Sequence, residues 1–259
     1  MNTRTLLGAL CACLLAASPA LAQTEIKFGH VGEPGSLFAQ SAEEFARRAN
    51  TKLGSKAKVV VYGSSQLGGD KELVQKLKLG TVDIALPSTV MTSEADIFGV
   101  FEMPYLVKDR KHMSRIEKEV FWPSIAPAAE KKGLKVIAVW ENGYRHITNS
   151  KRPINTPEDL KGHVYTPAYA TVGTKKWDSL PADVRKVLED TAKETQAFVY
   201  ELAEKGDKEL LDKITAAGVK SNVPNKDAFV AASKPVYEEF AKEVAGSKEI
   251  IDRAIALGK

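Results

Sequence analysis

The sequence predicts an α/β protein with helices on both faces of a mainly parallel sheet, and three observations predict it. Residues 25–88 alternate strand and helix patterns as β-α-β-α-β, the order that produces parallel strands with crossover helices. After residue 22 there is no cysteine and no apolar run of membrane-spanning length, so the fold must rest on an ordinary core. A long apolar-periodic stretch from Pro181 to Gly218 reads as a helix on the order of 55 Å at 1.5 Å per residue, longer than one lobe of a small protein, so it crosses between lobes. Gly206 is the point where it would otherwise break in two.

The chain begins with Arg4, an apolar run from Leu6 to Ala17, and Ala20-Leu21-Ala22, the pattern of a secretory signal peptide cut before Gln23. Both cysteines, Cys11 and Cys13, fall inside it, so no disulfide, thiolate metal site or cysteine nucleophile is expected in the exported product. Cleavage removes Arg4 and takes the net charge from +4 to +3, with both signs interspersed. That is no case for nucleic acid, which asks for a clustered basic face.

"EIKFGHV" (25–31) is rich in β-formers and ends at the turn "GEPGS"; a helix follows with Leu37, Ala39, Phe45, Ala46 and Ala49 inward. Strand "KVVVY" (58–62), loop "GSSQLGG", helix "DKELVQKLKLG" with Asp70 in its first turn and Gly80 as its stop, and strand "VDIALPS" (82–88) come next. "FGVFEMPYLVKD" is apolar with a proline break, and a helix through Met113 to Phe121 ends near Trp122-Pro123. "LKVIAVWE" (134–141) is a buried strand, and "TPEDLKG" a short helix capped by Thr156 and stopped by Gly162. Ser179 caps the long helix, "VKSNVP" is a short strand candidate, and helices over about 226–245 and 247–257 end the chain.

Enzymatic constellations fail on inspection. "GSSQLGG" has Leu67 where a nucleophile elbow needs glycine. The four histidines, 30, 112, 146 and 163, show no zinc spacing, and no phosphate or dinucleotide glycine loop is present. Glu43/Glu44 and Glu238/Glu239 are adjacent on helices and diverge in direction.

What remains is binding chemistry, and parallel strands bind ligands at their carboxyl ends, after Gly29, Tyr62 and Leu86. Arg145 follows a buried strand directly; its guanidinium either holds a carboxylate through two hydrogen bonds or closes an interlobe salt bridge. Tyr144 and Trp140 wall such a site or serve the core. Asp70 stabilises its helix dipole or faces the ligand; His30 donates to a ligand or closes its turn; Ser88 is a further candidate.

In order along the chain, "IKFGHV", "VYGSSQLGGDKELVQKLKLGTVDIA", "FGVFEMPYLVKD", "NGYRHITNSKRPINTPEDLKG" and "WDSLPADVRKVLEDTAKE" resemble the DctP family. Its members are solute-binding proteins of tripartite ATP-independent periplasmic (TRAP) transporters. The resemblance implies a periplasmic-binding-protein-like fold of two lobes joined by a long helix, closing on a small-molecule carboxylate and delivering it to a TRAP membrane permease. It implies no cofactor, no membrane embedding and a periplasmic location. Arg145 matches the arginine of the family's G-x-R-x-x-T stretch, Asp70 the acid after Q-L-G, and His30 and Ser88 lie in ligand-facing loops.

One departure stands out. In the family, "DLKG" leads into a strand carrying the principal carboxylate-binding arginine, then helices, then a D-G-x-E-N-P-like loop; here Gly162 runs straight into His163. One strand and two or three helices, on the order of 60 residues at average element lengths, are absent, which implies a truncated second lobe. The division expected is a signal peptide (1–22), lobe 1 (23–142, with parts of the long helix 180–217), and a remnant of lobe 2 with the C-terminal helices (143–162 and about 219–259). The missing arginine places binding itself in question. A secreted α/β hydrolase-like enzyme and a non-binding remnant are the alternatives.

Overall fold

The computed structural model describes residues 23–144, 155–157 and 165–259. The β-α-β-α-β start is present as β1 (Thr24–Gly29), α1 (Leu37–Leu53), β2 (Ala57–Tyr62), α2 (Asp70–Leu79) and β3 (Ile84–Ala85). Ser36 caps α1 by accepting from the Ala39 N–H at 3.2 Å. Gly80 ends α2 with φ 76°, a conformation glycine enters without a Cβ penalty. β3 is far shorter than the predicted 82–88, because the Asp83 carboxylate itself accepts from the Lys27 N–H at 2.8 Å and Pro87 supplies no donor.

Short 3-10 turns over Thr89–Ser93 and Asp96–Glu102 follow. α3 (Arg110–Ile116) then widens into π-type turns over Glu117–Ile125 and returns to α geometry in α4 (Ala126–Glu130). The helix therefore continues past Trp122-Pro123 rather than ending there, the wider turns absorbing the donor that Pro123 lacks. β4 (Leu134–Tyr144) and β5 (Tyr165–Gly173) precede α5 (Thr174–Ser179), α6 (Ala182–Ala216), α7 (Lys226–Glu243) and α8 (Ser247–Leu257).

Two local expectations need correcting. Ser179 belongs to the end of α5, donating to the Lys176 carbonyl at 2.7 Å, and Pro181 holds the cap position of α6. Residues 219–224 form no strand. α6 runs 35 residues without a break at Gly206, about 52 Å at 1.5 Å per residue. The "TPEDLKG" helix lies largely outside the described residues, of which only 155–157 belong to it.

The α/β class holds, and the sheet is mixed. Strand order is β2-β1-β3-β5-β4, with β1 parallel to β2 and β3, and β5 antiparallel to both β3 and β4. The expectation of mainly parallel pairing gives way at β5. Tyr165 pairs with Tyr144, so the chain re-enters the sheet at the end where it left, which fixes an antiparallel neighbour and needs no crossover helix. Among the described residues this is one sheet.

A core lies on each face. One side packs Phe28, Phe45 and Trp140 edge to face under α1, α5 and the first half of α6, and the Trp140 indole N–H donates to the Ala192 carbonyl at 2.9 Å. The other gathers Phe98, Phe101, Phe121 and Tyr169 with α2, α3, the π turns and α8. α7 and α8 fold back onto this second face: the Tyr237 hydroxyl donates to the Pro104 carbonyl, and His112 Nε2 lies 2.7 Å from the Ala254 carbonyl. No described helix is long and apolar enough to cross a membrane.

Candidate functional site

Because β5 is antiparallel to both β3 and β4, β4 runs in the same direction as β1, β2 and β3. Its carboxyl end therefore joins theirs on one edge of the sheet, the edge where an α/β crevice forms.

His30 sits there, 2% exposed, with its backbone N–H donating to the Tyr62 carbonyl at 3.0 Å. Its Nδ1 accepts from the Gly32 N–H at 3.1 Å, which leaves the ring proton on Nε2. Burial pushes the imidazole below its ordinary pKa, against a smaller opposing pull from Glu43, so the ring is neutral at neutral pH. Gly63 lets the ring lie across the β2 turn, since a Cβ there would stand 2.8 Å from His30 Cε1. Ser64 and Ser65 both take positive φ, 49° and 60°, and their N–H groups donate to Gly32 and His30 carbonyls. Side chains rarely hold that conformation unless the surroundings enforce it, as loops at binding sites often do.

Asp70 opens α2 with Oδ1 buried and without a hydrogen-bond partner among the described residues. Burial raises its pKa, although a helix N-terminus is a favourable place for a carboxylate. With Glu72, Thr89, Thr92, Ser93 and Glu102 it lines an open depression of about 590 Å³. Ser88, 5% exposed, donates to the Pro167 carbonyl at 2.6 Å and accepts from the Asn142 amide at 3.2 Å. It thereby ties the β3 loop to β5 and β4. The structure thus brings Asp70 beside the segment that follows Ser88, sets His30 on the same edge outside that depression, and buries Trp140 wholly in the core. Arg145, with His146, His163 and the Gly162–His163 junction, lies outside the described residues.

Sequence reasoning missed an ion triad at this edge. Glu141, its side chain 0% exposed, accepts two parallel hydrogen bonds from Arg110, at 2.8 and 2.7 Å, and Arg110 also reaches Asp207 of α6 at 2.8 Å. The guanidinium lies over the Tyr144 ring, 5.5 Å from its centroid. Burial pushes the Glu141 carboxyl up, and the paired hydrogen bonds from Arg110 pull it back toward the ionised form. The available signal was a charge ending an otherwise apolar strand, which needs a partner when buried.

A model of the family described as DctP, bacterial extracellular solute-binding protein, family 7, matches residues 28–163 and 161–243. The chain belongs to the DctP family. Over 321 aligned positions it is 26% identical to the C4-dicarboxylate-binding periplasmic protein DctP of Rhodobacter capsulatus, covering 94% of this chain and 96% of that one. It is 21% identical to the 2,3-diketo-L-gulonate-binding periplasmic protein YiaO of Escherichia coli, covering 97% and 98%. Among solved structures, a TRAP periplasmic solute-binding protein from Haemophilus influenzae with bound L-gulonate superposes with TM-score 0.81 at 22% identity, covering 91% of this chain and all of that one. One from Sulfurospirillum deleyianum with bound succinate gives 0.80 at 22%, covering 92% and 100%. At such identities the likeness establishes the fold, that of the two-lobed TRAP binding proteins. DctP proteins bind solutes rather than transform them, which sets the hydrolase alternative aside.

Proposed function

We propose that this DctP protein captures a small organic acid, a hydroxylated sugar acid or a C4-dicarboxylate, after export by its signal peptide, and hands it to a TRAP membrane permease. The family match along both parts of the chain is the observation that carries this reading. The relatives and neighbours named for dicarboxylates and sugar acids support the ligand class. Arg145 is the proposed partner of the ligand carboxylate, and His30 Nε2–H a neutral donor beside it. Asp70 repels a carboxylate, so its place is as acceptor for a ligand hydroxyl, which favours the hydroxylated acid. Ser88 contributes by holding β3, β4 and β5 in register at this edge.

We read Gly162–His163 as the seam of an internal deletion that leaves lobe 1 (23–142) largely whole and lobe 2 reduced. The family model matching as two segments that meet at 161–163 supports this. So does an alignment of 321 positions against a chain of 259 residues, which leaves more than 60 positions of the relative without a counterpart. Loss of one bidentate arginine costs roughly 2–5 kcal/mol of binding. Thermal stabilisation by sugar acids is therefore expected only at about millimolar concentration, ~4 kcal/mol of affinity. Melting the purified protein with L-gulonate, galacturonate, succinate and the neutral polyol sorbitol tests this. No shift with any acid, or an equal shift with sorbitol, removes the binding claim.

A further inference from the structure

The apolar stripe of α6 continues beyond the body that buries it. Val199 and Ala203 are buried, and at 3.6 residues per turn Leu210 and Ile214 fall on the same face, with Leu211 beside them. Those three are 60%, 40% and 47% exposed, and Val219 and Val223 just beyond are 45% and 86% exposed. Every residue from 208 to 223 is exposed. Gly206 borders the same face, and a Cβ there would meet nothing within 4 Å, so another helix can approach the backbone closely at that turn.

We propose that this face docks a second copy of the chain, the distal halves of two α6 helices pairing antiparallel about a two-fold axis near Leu210. The exposed apolar side chains amount to on the order of 500 Å², toward the top of the range for the largest patch on a monomer. Two copies together bury on the order of 1,000 Å², the lower bound of a specific interface. The bordering charges nearly balance: Glu204, Asp207, Glu209 and Asp212 against Lys205, Lys208 and Lys213. A second copy meets little net repulsion, whereas an anionic membrane surface asks for a basic face that this segment does not offer. Antiparallel pairing also opposes the helix dipoles, and the isologous contact closes on itself at two subunits.

An interface of this size associates weakly, with a dissociation constant on the order of micromolar. Sedimentation velocity on the purified protein, from about 1 to 200 μM, reads it as a monomer-to-dimer shift. Leu210→Asp is expected to weaken the dimer at least about tenfold while the melting temperature of the protomer stays unchanged. No cysteine follows Cys13, so Leu210→Cys provides a lone thiol near the axis and is expected to cross-link two copies on mild oxidation. Lys186→Cys, on the exposed face of the same helix, is expected not to. A wild type that stays monomeric throughout, a dimer indifferent to Leu210→Asp, or cross-linking equal at both positions overturns the proposal. None of these readouts involves ligand, so they stand apart from the binding reading above.

Discussion

The two halves of α6 share one apolar period and meet opposite surroundings. From Val184 to Ala203 the stripe is buried against α1 and β4, with Leu188, Ala192 and Val199 at 0% exposure. Beyond Asp207 the same period puts Leu210 and Ile214 into solvent. Amphipathic patterning therefore explains why the whole segment is helical, and the neighbours that the chain supplies decide which part of the stripe is core. Asp207 marks the boundary: through Arg110 it fastens the helix to Glu141 of the sheet, just before the exposed turns begin.

The largest effect is expected at that tie. Arg110→Ala leaves the Glu141 carboxylate buried without its cation and should destabilise the protein by about 3–5 kcal/mol in urea unfolding. A loss under about 1 kcal/mol means that Glu141 is protonated or watered instead, and the boundary is not electrostatic. Next, Leu188→Ala should cost about 2–5 kcal/mol, as a cavity in the core does. Leu210→Ala, seven residues past Ala203, should change stability by no more than about 0.5 kcal/mol when measured at concentrations below dimer formation. Equal costs at the two leucines contradict the division of the helix.

A smaller effect is expected from His30. Burial lowers its pKa below the ordinary 6.5, so below that pH the unfolded chain takes up a proton that the folded ring resists. Stability is therefore unaffected by this group above about pH 7 and falls as the pH drops through 6.5 and lower. His30→Gln should flatten part of that fall in urea midpoints between pH 7 and 5. His112, also lowered mainly by burial, supplies a remaining slope. A His30→Gln profile parallel to wild type shows that the ring is not confined as described.

The parallel half of the sheet was legible because its signals are local. Asp70 in the first turn and Gly80 at φ 76° bound α2 where capping chemistry puts them, and "KVVVY" is β2 within one residue. β4 was found as a buried apolar run, yet its antiparallel pairing with β5 was not, since that register joins Tyr144 to Tyr165, 21 residues apart along the chain. At the candidate site, the loops after β1, β2 and β3 were expected at one edge, and His30 lies there in the structure. The Arg110–Glu141–Asp207 triad was invisible because its members lie 31 and 97 residues from Arg110 along the chain, a separation no periodicity reports. Ser88 was a candidate from its loop position alone, and its contacts to Pro167 and Asn142 show a cross-strand role that loop position does not report.

We propose that this DctP protein, exported and with a reduced second lobe, still recognises an acid through the carboxyl edge of its sheet. Titration calorimetry of L-gulonate into the wild type and Arg145→Ala addresses it most directly. Weak binding by the wild type is expected, and a further loss of roughly 2–5 kcal/mol in the variant, enough to abolish measurable heat, with the melting temperature of the unliganded protein unchanged. Wild-type protein that binds no acid, or a variant that binds as wild type does, contradicts it.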